Sequence, residues 1–239
     1  MWKWAENASL KVVRTGPIPR HIAFIMDGNR RWATRSGMKK FEGHSFGLEK
    51  LLQVISWCLE LGIGILTVFA FSTDNFNRSP EEVSELMRLF EQACQKLKDS
   101  RNSVANKGVR IKIIGNIEKF TESAQKALKT LEKDTEGNNL CTLNICLGYG
   151  SIEEVEHAVS KCKQRAGAGE EPGLPMFEDE LWIKEPVDLM VRTGETRLSN
   201  FLLYQSSERT KFLMMTSILW PDLKIWHMLY IIFSYQYLL

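Results

Sequence analysis

Short apolar runs recur along the chain, each closed by polar residues or glycine. Ile22-Ala23-Phe24-Ile25-Met26 stops at Asp27, Leu66 to Phe71 stops at Ser72, and Val109 to Ile114 stops at Gly115-Asn116. Leu143 to Leu147 runs into Gly148-Tyr149-Gly150, and Val187 to Val191 ends at Arg192, with a weaker run at Phe212 to Met215. The first of these, Ile22 to Met26, is continuous, as a strand buried on both faces of a parallel sheet would be.

Between these runs the apolar spacing changes to that of helices. Phe46 to Leu61 places Leu48, Leu51, Leu52, Ile55 and Leu59 on one stripe. Ser79-Pro80-Glu81-Glu82 offers an N-cap serine, a proline at the first helical position and an early acidic residue. The helix it opens is expected to run to about Asn106, with Thr121 to Leu131 and Ser151 to Lys163 as two more. Residues 166–175 read as a flexible surface loop, because a further strand follows them. Alternating strands and helices predict one α/β domain over residues 1–239: a mainly parallel sheet of about six strands with helices on both faces. Residues 1–20 form an N-terminal lead-in. Residues 222–239 are strongly apolar from Ile225 on, but fall short of the roughly 20 residues that span a bilayer. They read as a buried or interface helix, with a membrane-touching helix as the alternative.

Composition narrows this little. The 239 residues are 44% hydrophobic and 25% charged, with a net charge of +2 that argues against nucleic-acid binding. Five cysteines without a Cys-x-x-Cys spacing argue against a disulfide framework and a zinc site. The first 20 residues carry Glu6, Lys11 and Arg14 among their apolar stretches, unlike a secretory signal.

The chemistry gathers where strands end, the edge at which open parallel sheets bind ligands. Strand one runs into Asp27-Gly28-Asn29-Arg30-Arg31-Trp32, where glycine permits a tight turn and the next helix aims free amides into the crevice. A carboxylate with a guanidinium one turn on suits a magnesium–phosphate ligand, though a capping Asp beside surface arginines fits equally well. Strand two runs into Ser72-Thr73-Asp74-Asn75-Phe76-Asn77-Arg78, either a site or a turn feeding the next helix. Strand five runs into Arg192-Thr193-Gly194-Glu195-Thr196-Arg197-Leu198-Ser199-Asn200, a natural second anion site. Two anion sites, one with a metal carboxylate, suggest an enzyme that handles two phosphorylated substrates together.

Residues His21 to Ala33, Gly43-His44, Ala70 to Phe76, Arg192 to Leu203 and Leu219-Trp220-Pro221 together resemble the signatures of cis-prenyltransferases, in order and at suitable spacing. The Arg30-Arg31 pair and the Gly16-Pro17-Ile18-Pro19 lead-in look more like the eukaryotic dehydrodolichyl diphosphate synthases than the bacterial undecaprenyl enzymes. The resemblance implies condensation of isopentenyl diphosphate onto an allylic diphosphate such as farnesyl diphosphate. Residue by residue, it implies Mg²⁺ on Asp27, with Asn29 placing the diphosphate near the departing proton. Gly28, Arg31, Lys40 and His44 hold the allylic diphosphate, and Arg192, Arg197 and Ser199 the isopentenyl diphosphate. Ser72, Asn75 and Phe76 shape the reacting centre, with Arg78 beside them. It also implies an apolar tunnel, for which Leu51, Ile55, Leu86, Met87 and Phe90 are candidates, although core packing explains each as well.

Three features depart from the family pattern. One small residue is missing between Thr193 and Glu195, which is expected to shift Arg197 and Ser199 relative to Arg192. Glu208 is a poor match for the second metal carboxylate of bacterial members, and the C-terminal Arg-x-Gly is absent. The last of these implies a heteromer with a Nogo-B-receptor-like, membrane-anchored subunit at the cytosolic face of the endoplasmic reticulum, otherwise a homodimer; the alternative is a truncated or divergent chain with weak or no activity. Two rivals stand beside this reading: a non-catalytic subunit of such a complex, and a phosphatase-like hydrolase. The first usually lacks the metal Asp, and the second wants a carboxylate where Asn29 stands.

Overall fold

The computed structural model describes residues 2–98 and 107–237. Six strands, β1 (His21–Ile25), β2 (Ile65–Ser72), β3 (Val109–Ile114), β4 (Cys141–Tyr149), β5 (Leu189–Thr193) and β6 (Lys211–Met215), form one sheet in the order β3-β4-β2-β1-β5-β6. Every neighbouring pair is parallel, so each connection crosses over the sheet, and most of the sequential elements between strands are helices. The α-helices are α1 (Trp2–Val13) before β1, then α2 (Asn29–Arg35), α3 (Glu42–Leu61), α4 (Pro80–Lys98), α5 (Glu122–Asp134), α6 (Ser151–Gly167) and α7 (Leu174–Asp179) between strands, and α8 (Ile225–Tyr237) after β6, while β5 and β6 are joined without one.

The alternation within β1 shows how both faces are covered. Ile22 and Phe24 enter a large core shared with α3, α4, α5 and α8, while Ala23 and Ile25 enter a second one with Tyr149, Ile183 and Phe201. β1 therefore needs apolar residues at every position, which is why its run is unbroken. β6 sits at the sheet edge with Phe212 exposed, and its weaker pattern follows from covering only part of its surface.

Several boundaries differ from the sequence expectation. α3 begins at Glu42, so Gly43 and His44 lie inside the helix rather than before it. α6 continues through Gly167, and α7 starts at Leu174, shortening the expected loop of 166–175 to residues 168–173. Ser79 caps α4 as its sequence requires, with its hydroxyl accepting from the Glu82 amide, whereas residues 99–106 of the expected helix lie outside the described residues. The lead-in contains a helix, α1, whose Leu10 is buried, which the sequence reading did not foresee. Among the described residues, no helix is long and apolar enough to cross a membrane. α8 buries Ile225, Met228, Ile231 and Ile232, and exposes Trp226, Tyr230, Phe233 and Tyr237.

Candidate active site

The strand order places β1 between β2 and β5, so the polar segments that follow these three strands meet at one edge. Asp27 is the centre of the meeting. Its carbonyl oxygen accepts from Thr193 Oγ1 at 2.7 Å and from the Trp220 amide at 2.9 Å, which fixes the backbone. Its carboxylate, about one-third exposed, pairs with Arg192 at 2.9 Å and with Arg31 at 3.4 Å. Gly28 then turns with φ 107°, a left-handed conformation, and a Cβ there would strike Leu219. That turn starts α2, whose free N-terminal amides open beside Asp27.

Arg192 lies within β5 rather than beyond it, and its side chain is almost fully buried. Beyond Asp27 it donates to Ser199 Oγ at 2.7 Å and to the carbonyl oxygen of Arg197, and it pairs with Glu195 at 3.4 Å. Arg31 donates to the Gly194 carbonyl at 3.0 Å, and a Cβ at Gly194 would collide with its guanidinium. The loop keeps this shape with left-handed backbone at Ser199, Asn200 and Leu202, a strained choice for side-chain-bearing residues. α6 holds the strain in place. Its Ser151 and Ile152 amides donate to the Asn200 carbonyl and side chain, and Glu153 accepts from both Asn200 and Thr73.

A second ionic group adjoins the first. Glu82, near the start of α4, pairs with Arg78 at 2.9 Å, Arg30 at 3.8 Å and His44 at 3.5 Å. Burial, helped by the charge of Arg78, holds the His44 pKa down at about 4 despite the nearby Glu82, so the ring is neutral at neutral pH. Asn29 donates to the Met26 carbonyl at 3.3 Å, while its Oδ1 is buried without a partner. α3 comes this close only because Gly43 and Gly47 lack side chains: Cβ atoms there would stand 2.1 Å from the Asn29 carbonyl oxygen and 2.4 Å from its Oδ1. Asn29 and His44 also line a small, otherwise largely apolar cavity of about 90 Å³ between α3, α4, α5 and the sheet. Leu51, Leu86 and Phe90 line it, while Leu51 and Leu86 also belong to the core together with Ile55 and Met87.

Residues 25–238 match the model of the undecaprenyl diphosphate synthase family, a prenyltransferase family. The chain belongs to the cis-prenyltransferases. It is 37% identical to an isoprenyl transferase of Thermus thermophilus over 97% of this chain and 91% of that one. It is 36% identical to the human dehydrodolichyl diphosphate synthase complex subunit DHDDS, over 97% of this chain and 71% of the relative. The crystal structure of lavandulyl diphosphate synthase from Lavandula x intermedia in complex with dimethylallyl diphosphate superposes with a TM-score of 0.83 at 32% identity, covering 92% of this chain and 95% of that one.

In this cis-prenyltransferase the residues singled out from sequence divide into groups. Asp27, Gly28, Arg31, Arg192 and Ser199 converge on one ionic cluster, and Asn29, His44 and Arg78 lie beside it. Arg197 joins the cluster through its backbone, while its exposed side chain turns to Glu195 at 2.7 Å. Ser72 and Asn75 cap the short 3₁₀ turn Thr73–Asn77 reciprocally, with Asn75 Oδ1 accepting from the Ser72 amide at 3.1 Å. Phe76 packs edge-on against Phe71 and Phe120. Lys40 is exposed on the turn between α2 and α3, bonded to none of these groups among the described residues. Sequence reasoning missed Glu82 and Glu153 as organisers. Each sits in the first turns of a helix, where an acidic residue is already explained by the helix dipole, so nothing in the pattern set them apart.

Among the described residues no group of three or more His, Cys, Asp or Glu side chains gathers for a metal. One partly exposed carboxylate among arginines nevertheless suits Mg²⁺, which commonly takes one or two protein carboxylates and completes its shell with substrate phosphate oxygens and water.

Proposed function

We propose that this cis-prenyltransferase condenses isopentenyl diphosphate onto farnesyl diphosphate to make a long cis-polyprenyl diphosphate of the dehydrodolichyl type. The observation that carries the reading is the pairing of Asp27 with Arg31 and Arg192 at the edge of an apolar cavity. The chemical obstacle is charge building on the diphosphate oxygen as it leaves the allylic carbon, and fixed donors aimed there lower it. Arg31, the α2 amides at Gly28 and Asn29, and Lys40 supply those donors for the allylic substrate. Neutral His44 contributes a hydrogen bond rather than a charge. Arg192, Arg197 and Ser199 receive the isopentenyl diphosphate, and Asn29 orients it toward the proton to be lost. Ser72, Asn75 and Phe76 shape the space around the reacting carbons, with Arg78 close by. Mg²⁺ held by Asp27 would neutralise diphosphate charge when bound.

The growing chain occupies the apolar cavity. Burying five carbons per cycle is worth roughly 4 kcal/mol at ~0.8 kcal/mol per methylene, which favours retention and repeated addition. The human and fission-yeast relatives are named as complex subunits, which supports a Nogo-B-receptor-like partner at the endoplasmic reticulum membrane, with a homodimer as the alternative. The exposed aromatic row of α8 supports an interface role for that helix. The test is incorporation of labelled isopentenyl diphosphate with farnesyl diphosphate and Mg²⁺, by the chain alone and with the partner. Asp27→Ala is the control. Incorporation that vanishes in the variant supports the proposal, and none in either arrangement defeats it.

A further inference from the structure

The Leu219-Trp220-Pro221 segment has no part in the chemistry proposed above, yet the short 3₁₀ turn Trp220–Asp222 joins the Asp27 backbone, α2 and α3. The Trp220 amide donates to the Asp27 carbonyl, its indole Nε1 donates to the Gly47 carbonyl of α3 at 2.9 Å, and Leu219 packs on Gly28. The turn ends in Asp222, whose carboxylate accepts from Trp32 Nε1 at 2.9 Å and pairs with Arg35 at 2.5 Å. Trp32 is the middle residue of α2 and Arg35 its last, and Lys50 and His227 lie within electrostatic reach of the same carboxylate.

α2 has seven residues, too few to hold its own direction in water. Its N-terminal end is fixed by Asp27 and the left-handed Gly28, and one side of it rests on α3. Its far end needs a second mount. We infer that Asp222 is a positioning residue for prenyl transfer: through Trp32 it fixes the direction of α2 and so aims Arg31 and the α2 amides at the diphosphate. This rests on the assignment of that diphosphate to Asp27 and α2. A tilt of roughly 10° moves a group one turn along, about 5 Å away, by about 1 Å. A misplacement of that size costs about 10²-fold in rate. The exposed Asp222–Arg35 pair contributes little by itself, so the indole hydrogen bond is the decisive contact.

The experiment compares Asp222→Ala, Asp222→Asn, Trp32→Phe and the double variant Asp222→Ala/Trp32→Phe, with Asp27→Ala as reference, by steady-state kinetics and thermal unfolding. Asp222→Ala is expected to lose 10–100-fold, chiefly in kcat, while binding isopentenyl diphosphate normally. Asp222→Asn, which still accepts from the indole, keeps a third or more of the activity. Trp32→Phe keeps the ring against Phe46 but lacks the donor, so it loses activity like Asp222→Ala, and the double variant is no worse than either. Should Asp222→Ala fail to fold, Trp32→Phe tests the same bond. Wild-type kinetics in a folded Trp32→Phe or Asp222→Ala, or additive losses in the double variant, would overturn the inference. An active Asp27→Ala would instead overturn the site assignment beneath it.

Discussion

Replacing Arg192 with lysine separates charge from geometry. The guanidinium reaches Asp27, Ser199 Oγ, the Arg197 carbonyl and Glu195 from one almost fully buried position. An ammonium on a shorter, unforked end can hold Asp27 but cannot span to Ser199 and Arg197 at the same time. Two charge-assisted bonds are then lost, each worth about 1.5–3 kcal/mol. If these bonds shape the loop that receives isopentenyl diphosphate, roughly 3 kcal/mol of the loss falls on the transition state, or about 10²-fold in kcat/KM. The retained charge near Asp27 limits the stability loss to about 1–2 kcal/mol, a fall in Tm of about 2–8 °C for a chain of this size. Initial rates at varied isopentenyl diphosphate and saturating farnesyl diphosphate check this, with differential scanning fluorimetry alongside. A lysine variant whose kcat/KM stays within twofold of wild type would refute the argument that Arg192 works by its fork.

Further outcomes follow from the same geometry. Gly47→Ala places a methyl 2.4 Å from Asn29 Oδ1, so its kcat should fall at least tenfold with a small change in Tm; unchanged kcat would show that Asn29 can shift freely. Ala93 lines the cavity, and Ala93→Leu should give shorter products by reversed-phase chromatography, an unchanged length distribution counting against this cavity as the product site. His44 binds its proton more weakly folded, at about 4, than unfolded, near 6.5. Between those values the unfolded chain holds more protons, so stability should fall as pH drops from about 6.5 toward 4. His44→Gln should flatten that slope in urea titrations, the lowered His21 supplying the remainder, and a curve parallel to wild type would exclude His44 as a source. Chelation with EDTA should abolish incorporation and added Mg²⁺ restore it in wild type but not in Asp27→Ala.

The strands were the most legible part of this chain, because burial on both sheet faces keeps polar positions few within each run. The runs at Ile22, Leu66, Val109 and Leu143 lie within strands β1 to β4. Strand five is displaced: its run begins at Val187, yet pairing starts at Leu189 and carries Arg192 and Thr193 inside the sheet. Arg192 can be buried there because four acceptors surround it, three from its own loop and one, Asp27, far off in sequence and so invisible to a local reading. The early start of α3 was hidden for a related reason. Gly43 reads as a helix breaker locally, but it is the position where α3 crosses the Asn29 backbone too closely for a side chain. Ser72 and Asn75 show the converse, since the turn alternative weighed for them describes their bonds in full.

The strand-five loop shows how a shortened motif can keep its contacts. With only Gly194 between Thr193 and Glu195, the chain has to turn at once. Gly194 does so with φ 77°, leaving a concavity that the Arg31 guanidinium fills. The chain then climbs back so that Ser199 still reaches Arg192, which requires left-handed backbone at Ser199, Asn200 and Leu202, at a cost of order 1–3 kcal/mol each. The bonds from Asn200 to Ser151, Ile152 and Glu153, and from the Leu203 amide to the Ser151 hydroxyl, offset that strain from a helix that itself never touches Asp27. The side chain given up is Arg197, turned outward onto Glu195. Ser199 thus keeps its bond to Arg192 through the loop's neighbours, while the exposed Arg197 is held on Glu195; under the proposed function a diphosphate would draw that side chain in by charge.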